Sequence, residues 1–251
     1  MSITDSAWRK QTAFCGYGNP NSPLWFLGIE EKLPLGVDLN KELRTRLTFK
    51  RIMDLDEAQT KLGREIKTSK TKTWMWMSKF ARALLKGADD WRDKSKAREY
   101  RDQHLGRKGG QTFLMELFPF PARTCKDSPC PTRCRDRKEY ENSILPKRRK
   151  LIVQMLVKHK PRYAIMYGKR KHYRQLFSES DAQESRKTDK YIFNCKVGRT
   201  NVVLISFFQT GFGHNTANQV IRLLRHGSGR RNKRLSFTEY ESPFKSRTKA
   251  I

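Results

Sequence analysis

The chain has 251 residues, with 54 Lys and Arg against 25 Asp and Glu and a formal net charge of +29. Its mean hydropathy is −0.82, yet 14 Phe, 8 Tyr and 5 Trp are too many aromatics for a disordered basic chain, and the length suffices for one sizeable core. No apolar run approaches the roughly 20 residues of a membrane span, and the first stretch, MSITDSAWRKQTAFCGYGNP, has no apolar signal core, so an intracellular, cytoplasmic chain without a membrane partner is expected.

In chain order, the first apolar run is SPLWFLGI at 22–29. Helical patterns follow at 41–63 and 73–87, and the charged segment 87–111 reads as a surface helix with a loop. TFLMELF at 112–118 is a second strand, and a helix over 136–159 is broken or kinked by Pro146. RYAIMYG at 162–168 is a third strand, followed by a helix at 169–177, a short strand in YIFNCKVG, and a fourth long strand, NVVLISFF, at 201–208. A last helix spans 215–227, with Asn215 or Thr216 as its cap and Gly227 as its stop. The four long strands are apolar on both alternating faces, the pattern of a sheet covered on both sides. The alternation predicts an α/β fold: a three-layer α/β/α sandwich around a central four-stranded parallel sheet. Residues 1–227 form this domain, and 228–251 form a basic tail.

In open parallel sheets, ligands bind beyond the carboxyl ends of the strands. Glu30 and Glu31, Phe118-Pro119-Phe120-Pro121, Gly168-Lys169 and Gln209-Thr210-Gly211 all stand there. Four such ends together resemble the uracil-DNA glycosylase superfamily. FLGIEEKLPLG resembles its first motif, with Gly28 and Ile29 leading to Glu30 at the polar third position. In FLMELFPFP, Glu116 stands where the family typically has Asn. KPRYAIMYGK resembles the third strand. The last motif departs: the family usually ends this strand with a His-Pro-Ser turn, and ISFFQTGFGHNT offers Gln209, with His214 five positions on.

The resemblance implies a monofunctional DNA glycosylase that needs no cofactor. Double-stranded DNA is its expected partner, and no obligate protein partner is implied. Cleaving an N-glycosidic bond leaves positive charge on the sugar and negative charge on the base. Glu30 suits the carboxylate beside the sugar. Glu31 either shares that role or raises the pKa of Glu30. An ionised Glu116 only accepts hydrogen bonds, which suits the N4 amino group of cytosine. Phe118 and Phe120 are candidates to stack on an extruded base. Gln209, His214 or the Gly211-Phe212-Gly213 backbone would stabilise the leaving base. A family branch that removes modified cytosines, such as glucosylated hydroxymethylcytosine, from phage DNA fits Glu116 and the unusual basicity best. Uracil repair is the nearest alternative.

The basic residues are unevenly placed. Asn142 to Ser178 holds 11 Lys and Arg and no carboxylate, and Lys190 to Thr238 again has no Asp or Glu. Lys169, Arg170 and Lys171 are candidates to grip phosphate, and Arg225, Arg230 and Arg231 flank a candidate insertion loop. Cys125, Cys130, Cys134 and Cys195 are a candidate set for a structural zinc or iron–sulfur cluster, although the spacing is no paired CxxC, and unrelated reduced thiols fit as well. Two further classes remain open: a nuclease with Glu30, Glu31 and Glu116 on Mg²⁺, and a non-catalytic nucleic-acid binder.

Overall fold

The computed structural model describes residues 4–69, 71–124, 126–130, 132–168, 173, 193–197, 199–208 and 212–226. Seven strands form one sheet: β1 (Gly16–Gly18), β2 (Leu24–Gly28), β3 (Ile52–Met53), β4 (Thr112–Glu116), β5 (Tyr163–Tyr167), β6 (Phe193–Val197) and β7 (Thr200–Ile205), in the order β3-β1-β4-β2-β5-β7-β6. The four long predicted strands are β2, β4, β5 and β7, and they run parallel as neighbours. The sheet is therefore wider than the four strands expected. β6 adds an antiparallel edge to β7, and on the other side the short β1 pairs antiparallel with β4 and carries β3.

Among the described residues the helices are α1 (Asp5–Thr12), α2 (Leu39–Arg46), α3 (Leu55–Lys61), α4 (Lys72–Lys86), α5 (Lys94–Gln103), α6 (Arg137–His159) and α7 (His214–His226). The single helix predicted over 41–63 is two, α2 and α3, separated by β3. Asp54 sets the second start, because its carboxylate caps the new helix by accepting from the N–H of Asp56. Pro146 does not end α6, which runs through it for 23 residues. Its missing N–H would have bonded the carbonyl of Asn142, and both residues are exposed to water. The last helix starts at His214, with the carbonyl of Gly213 accepting from Ala217, rather than being capped by Asn215 or Thr216.

Strand alternation divides the core in two. Trp25, Leu27, Phe113, Met115, Ala164, Met166, Val202 and Leu204 face one side, where Trp8 of α1 and Tyr140, Ile144, Ile152 and Leu156 of α6 cover them. Leu24, Phe26, Leu114, Tyr163, Ile165, Tyr167, Val203 and Ile205 face the other, under Phe80 of α4, Tyr100 of α5 and Val220 and Leu224 of α7. No described helix is long and apolar enough to cross a membrane. The segment 228–251, expected as a tail, lies outside the described residues.

One buried cation holds the carboxyl edge of β4. Arg148 of α6 is 1% exposed and donates to the carbonyls of Thr12, Phe14, Glu116 and Leu117. Burial lowers its pKa to about 10, so it stays charged at neutral pH. Arg148→Met leaves four buried carbonyls without a donor. It is expected to lower stability by roughly 2–5 kcal/mol, seen as a reduced urea midpoint at unchanged slope, and Arg148→Lys should recover only part, since an ammonium cannot span the fork.

Candidate active site at the carboxyl edge of the sheet

β2 and β4 end in register, Gly28 opposite Glu116. Gly28 follows Leu24 and Phe26 on the α4 side of the sheet, Glu116 follows Leu114, and Tyr167 ends the same face of β5. The three meet in one recess. A Cβ on Gly28 would lie 2.1 Å from Glu116 Oε2 and 2.4 Å from Tyr167 Oη, so the glycine is there for space. Tyr167 donates to Glu116 Oε1 at 3.3 Å, and Glu116 Oε2 is buried without a hydrogen-bond partner among the described residues.

Glu31 reaches the same recess with a different environment. Arg46 of α2 grips it with both nitrogens, at 3.0 and 2.7 Å, and the hydroxyl of Tyr17 on β1 donates to Oε1. Arg46 is 1% exposed at its side chain and also pairs with Glu42, which is itself held by Arg64. The Glu31 side chain keeps 22% of its surface open.

These environments push the two acids apart. Burial works against charge on Glu31, but Arg46 outweighs it and holds the carboxyl below its ordinary range. No cation is bonded to the carboxyl of Glu116 among the described residues. Burial, then the charge of Glu31 and to a lesser extent that of Glu30, push its pKa well above 4.5, against smaller opposing effects of the Tyr167 hydrogen bond and the charge of Arg148. The recess thus favours one carboxylate and one neutral carboxylic acid, the division of states from which acid and base roles are assigned.

Glu30 does not join them. It turns to the α6 side of the sheet, where Arg137 donates to Oε2 at 2.6 Å, and its side chain is 5% exposed. The expected pairing of Glu30 with Glu116 is therefore replaced by Glu31 with Glu116. Arg137 in turn lies over the rings of Phe118 (4.6 Å) and Tyr140 (5.3 Å). Phe118 and Phe120 are fully buried among Trp8 and Tyr140, so they are core rather than a stacking platform for a base. Ile29 is buried as well and occupies the space that a side chain on Gly168 would need.

His214 stands apart from both carboxyls. It opens α7 on the same edge, 3.1 Å from Lys79 Nζ, with Trp76 and Trp91 edge-on at 5.4 and 5.8 Å. Burial and the charges of Lys79 and Arg92 keep the ring below its ordinary pKa, hence an acceptor for the ammonium. Phe212 packs on Trp76, Phe80 and Phe208. Arg225 lies at the far end of α7 and donates to the carbonyl of Ala83, away from the recess. Gln209, Thr210, Gly211, Lys169, Arg170, Lys171, Arg230 and Arg231 lie outside the described residues, as do Cys125 and the side chain of Cys195. Cys130 and Cys134 are buried free thiols, both with raised pKa from burial. Among the described residues no three His, Cys, Asp or Glu are grouped to hold a metal ion.

Tyr17, Arg46, Tyr167 and Arg137 were not singled out in the sequence, yet each donates to one of the three acids. Their signature is thermodynamic. Above pH 4.5 the unfolded chain ionises Glu116 while the folded chain keeps it protonated, so the native state binds more protons and stability falls as pH rises. Glu31 acts with the opposite sign and only as pH falls below its unfolded value. Between pH 5 and 8, wild type is therefore expected to lose stability relative to Glu116→Gln by up to about 1.4 kcal/mol per pH unit, measured by urea unfolding of both proteins across that range. No protein-family model, no curated protein and no solved structure matches the chain, so what this recess does follows from its own chemistry.

Proposed function

We propose that the chain is a monofunctional DNA glycosylase that hydrolyses the N-glycosidic bond of an extruded base, a modified cytosine in phage DNA being the substrate class, and leaves an abasic site. The observation that carries this reading is the pair of unlike acids, Glu31 and Glu116, in one recess at the carboxyl edge of parallel strands. The parallel neighbours β4, β2, β5 and β7, with core on both faces, are in keeping with the α/β/α sandwich of the superfamily that the motifs resemble.

In this reading Glu31, rather than Glu30, is the carboxylate that faces the sugar cation and orients the attacking water. Tyr17 and Arg46 fix its position. Glu116 reads the base as a neutral acid. A carboxylic acid donates through O–H and accepts through C=O, so it matches N3 and the N4 amino group of cytosine together. It also matches O4 and N3–H of uracil in the reverse sense. The argument from an acceptor-only glutamate therefore falls away, and the preference for a modified cytosine rests on the altered last motif and the unusual basicity, which fit the anti-phage branch better than plain uracil repair.

DNAs carrying uracil, cytosine, hydroxymethylcytosine or glucosylated hydroxymethylcytosine, incubated with the protein and then treated with alkali, test this directly. Breaks are expected only after alkali, only in DNA with a modified cytosine, and unchanged by EDTA. Glu31→Gln should slow them by about 10²–10³-fold, while Glu30→Gln should stay within tenfold of wild type. A product from uracil DNA alone would move the assignment to uracil repair. Alkali-independent breaks abolished by EDTA would make the protein a nuclease, and binding without any product would make it a non-catalytic binder.

A further inference from the structure

A second recess lies away from the acids. It is a cleft of about 610 Å³ between α4 and α5. Lys67, Lys72, Lys79, Lys94 and Arg98 line it, and none of them is ion-paired to a carboxylate among the described residues. The carboxylate in the lining, Asp102, is already bound by Arg101, whose other nitrogens donate to the carbonyls of Ser69 and Lys67. Asp93 caps α5 by accepting from the N–H of Lys96. Trp76 forms part of the wall, half-buried, with the Lys79 ammonium 5.0 Å over its ring. α4 begins at this cleft with no side-chain cap and no acidic residue in its first turn, so its first N–H groups add to the positive potential.

We propose that this cleft holds a single strand of DNA, its phosphates on the lysines and Arg98 and a base against Trp76. A positively charged groove with an aromatic wall is the arrangement that takes a single strand irrespective of sequence. The charges in the cleft crowd one another: burial, then Lys94, lower the pKa of Lys79, and Asp93 only partly offsets them. The cleft also communicates with the recess. Trp76 packs on Phe212, Phe212 on Phe208, and Phe208 on Tyr167, at centroid distances of 4.9–5.0 Å, and Tyr167 holds Glu116. The cleft deepens the glycosylase reading by holding the strand on the α4 side of the sheet, where Glu116 also lies, but its binding is measurable without turnover.

The test uses a fluorescein-labelled thymidine dodecamer and fluorescence anisotropy over a salt series. The triple variant Lys72→Ala, Lys94→Ala, Arg98→Ala changes exposed side chains only. It should bind at least tenfold more weakly, with the slope of log K against log salt reduced by about 2, from roughly 0.7 per lost phosphate contact. The control triple Lys147→Ala, Lys150→Ala, Lys158→Ala on α6 removes the same charge and should leave both quantities within twofold of wild type. Equal losses in the two triples would overturn the cleft, and a duplex of the same length weakened as much as the single strand by the cleft triple would overturn the single-strand assignment. Absence of glycosylase activity with this binding intact would overturn the glycosylase reading and leave the cleft standing.

Discussion

Three carboxyl groups lie near the ends of β2 and β4, Glu31 and Glu116 together and Glu30 turned to the α6 side, and there are two arginines to balance them. Arg46 takes Glu31 and Arg137 takes Glu30. Glu116 faces a tyrosine hydroxyl instead. Two like charges in one partly buried recess repel strongly, so the acid without a cation is the one that stays protonated. Arg46 cannot relax this by leaving Glu31, because it is anchored from behind by Glu42, and Glu42 by Arg64. In a buried network of that kind, loss of one partner strands a charge and costs about 3–5 kcal/mol. The protonation pattern is thus built into the packing of α2 against the sheet.

Much of the fold was legible. The four long strands are continuous apolar runs, and α4 and α7 carry a clear helical repeat. What stayed hidden is structure that exists only in context. β1 and β3 are three and two residues long, and they are strands because β4 offers an edge to β1 and β1 in turn offers one to β3. The break between α2 and α3 was written in Asp54 and Glu57, a capping pattern inside a stretch whose periodicity suggests one helix. The recess was half legible. Period-two alternation on β5 places Tyr167 with Tyr163 and Ile165, and an alternating chain sends Glu30 and Glu31 to opposite faces. The cations that decide between those two glutamates come from positions 15 and 107 residues away, and no local pattern marks them.

The excess of basic residues also divides into two populations that composition alone does not separate. Arg46, Arg101, Arg137 and Arg148 are buried or nearly so, each spending its donors on carboxylates or carbonyls inside the molecule. Their role is structural, and a planar fork with several donors is suited to it. Lys67, Lys72 and Lys94 stand in water around the α4–α5 cleft. A lysine ammonium is a hydrated point charge on a flexible stem, suited to a partner whose phosphates shift as it slides. The net charge therefore overstates the cations available to a partner, while the cleft concentrates those that are.

This division bears on how the two sites work together. A strand held only by mobile lysines would be attracted without being positioned, and bond cleavage depends on position. The rigid elements lie between cleft and acids: Trp76, Phe212, Phe208 and Tyr167 are packed ring against ring, and Gly28, without a side chain, leaves the space that the Glu116 carboxyl and the Tyr167 hydroxyl occupy. Attraction is supplied by the flexible surface and registration by the aromatic wall. In that arrangement the charge that draws the polyanion need not lie beside Glu31, where additional cations would oppose the positive sugar that its carboxylate has to face.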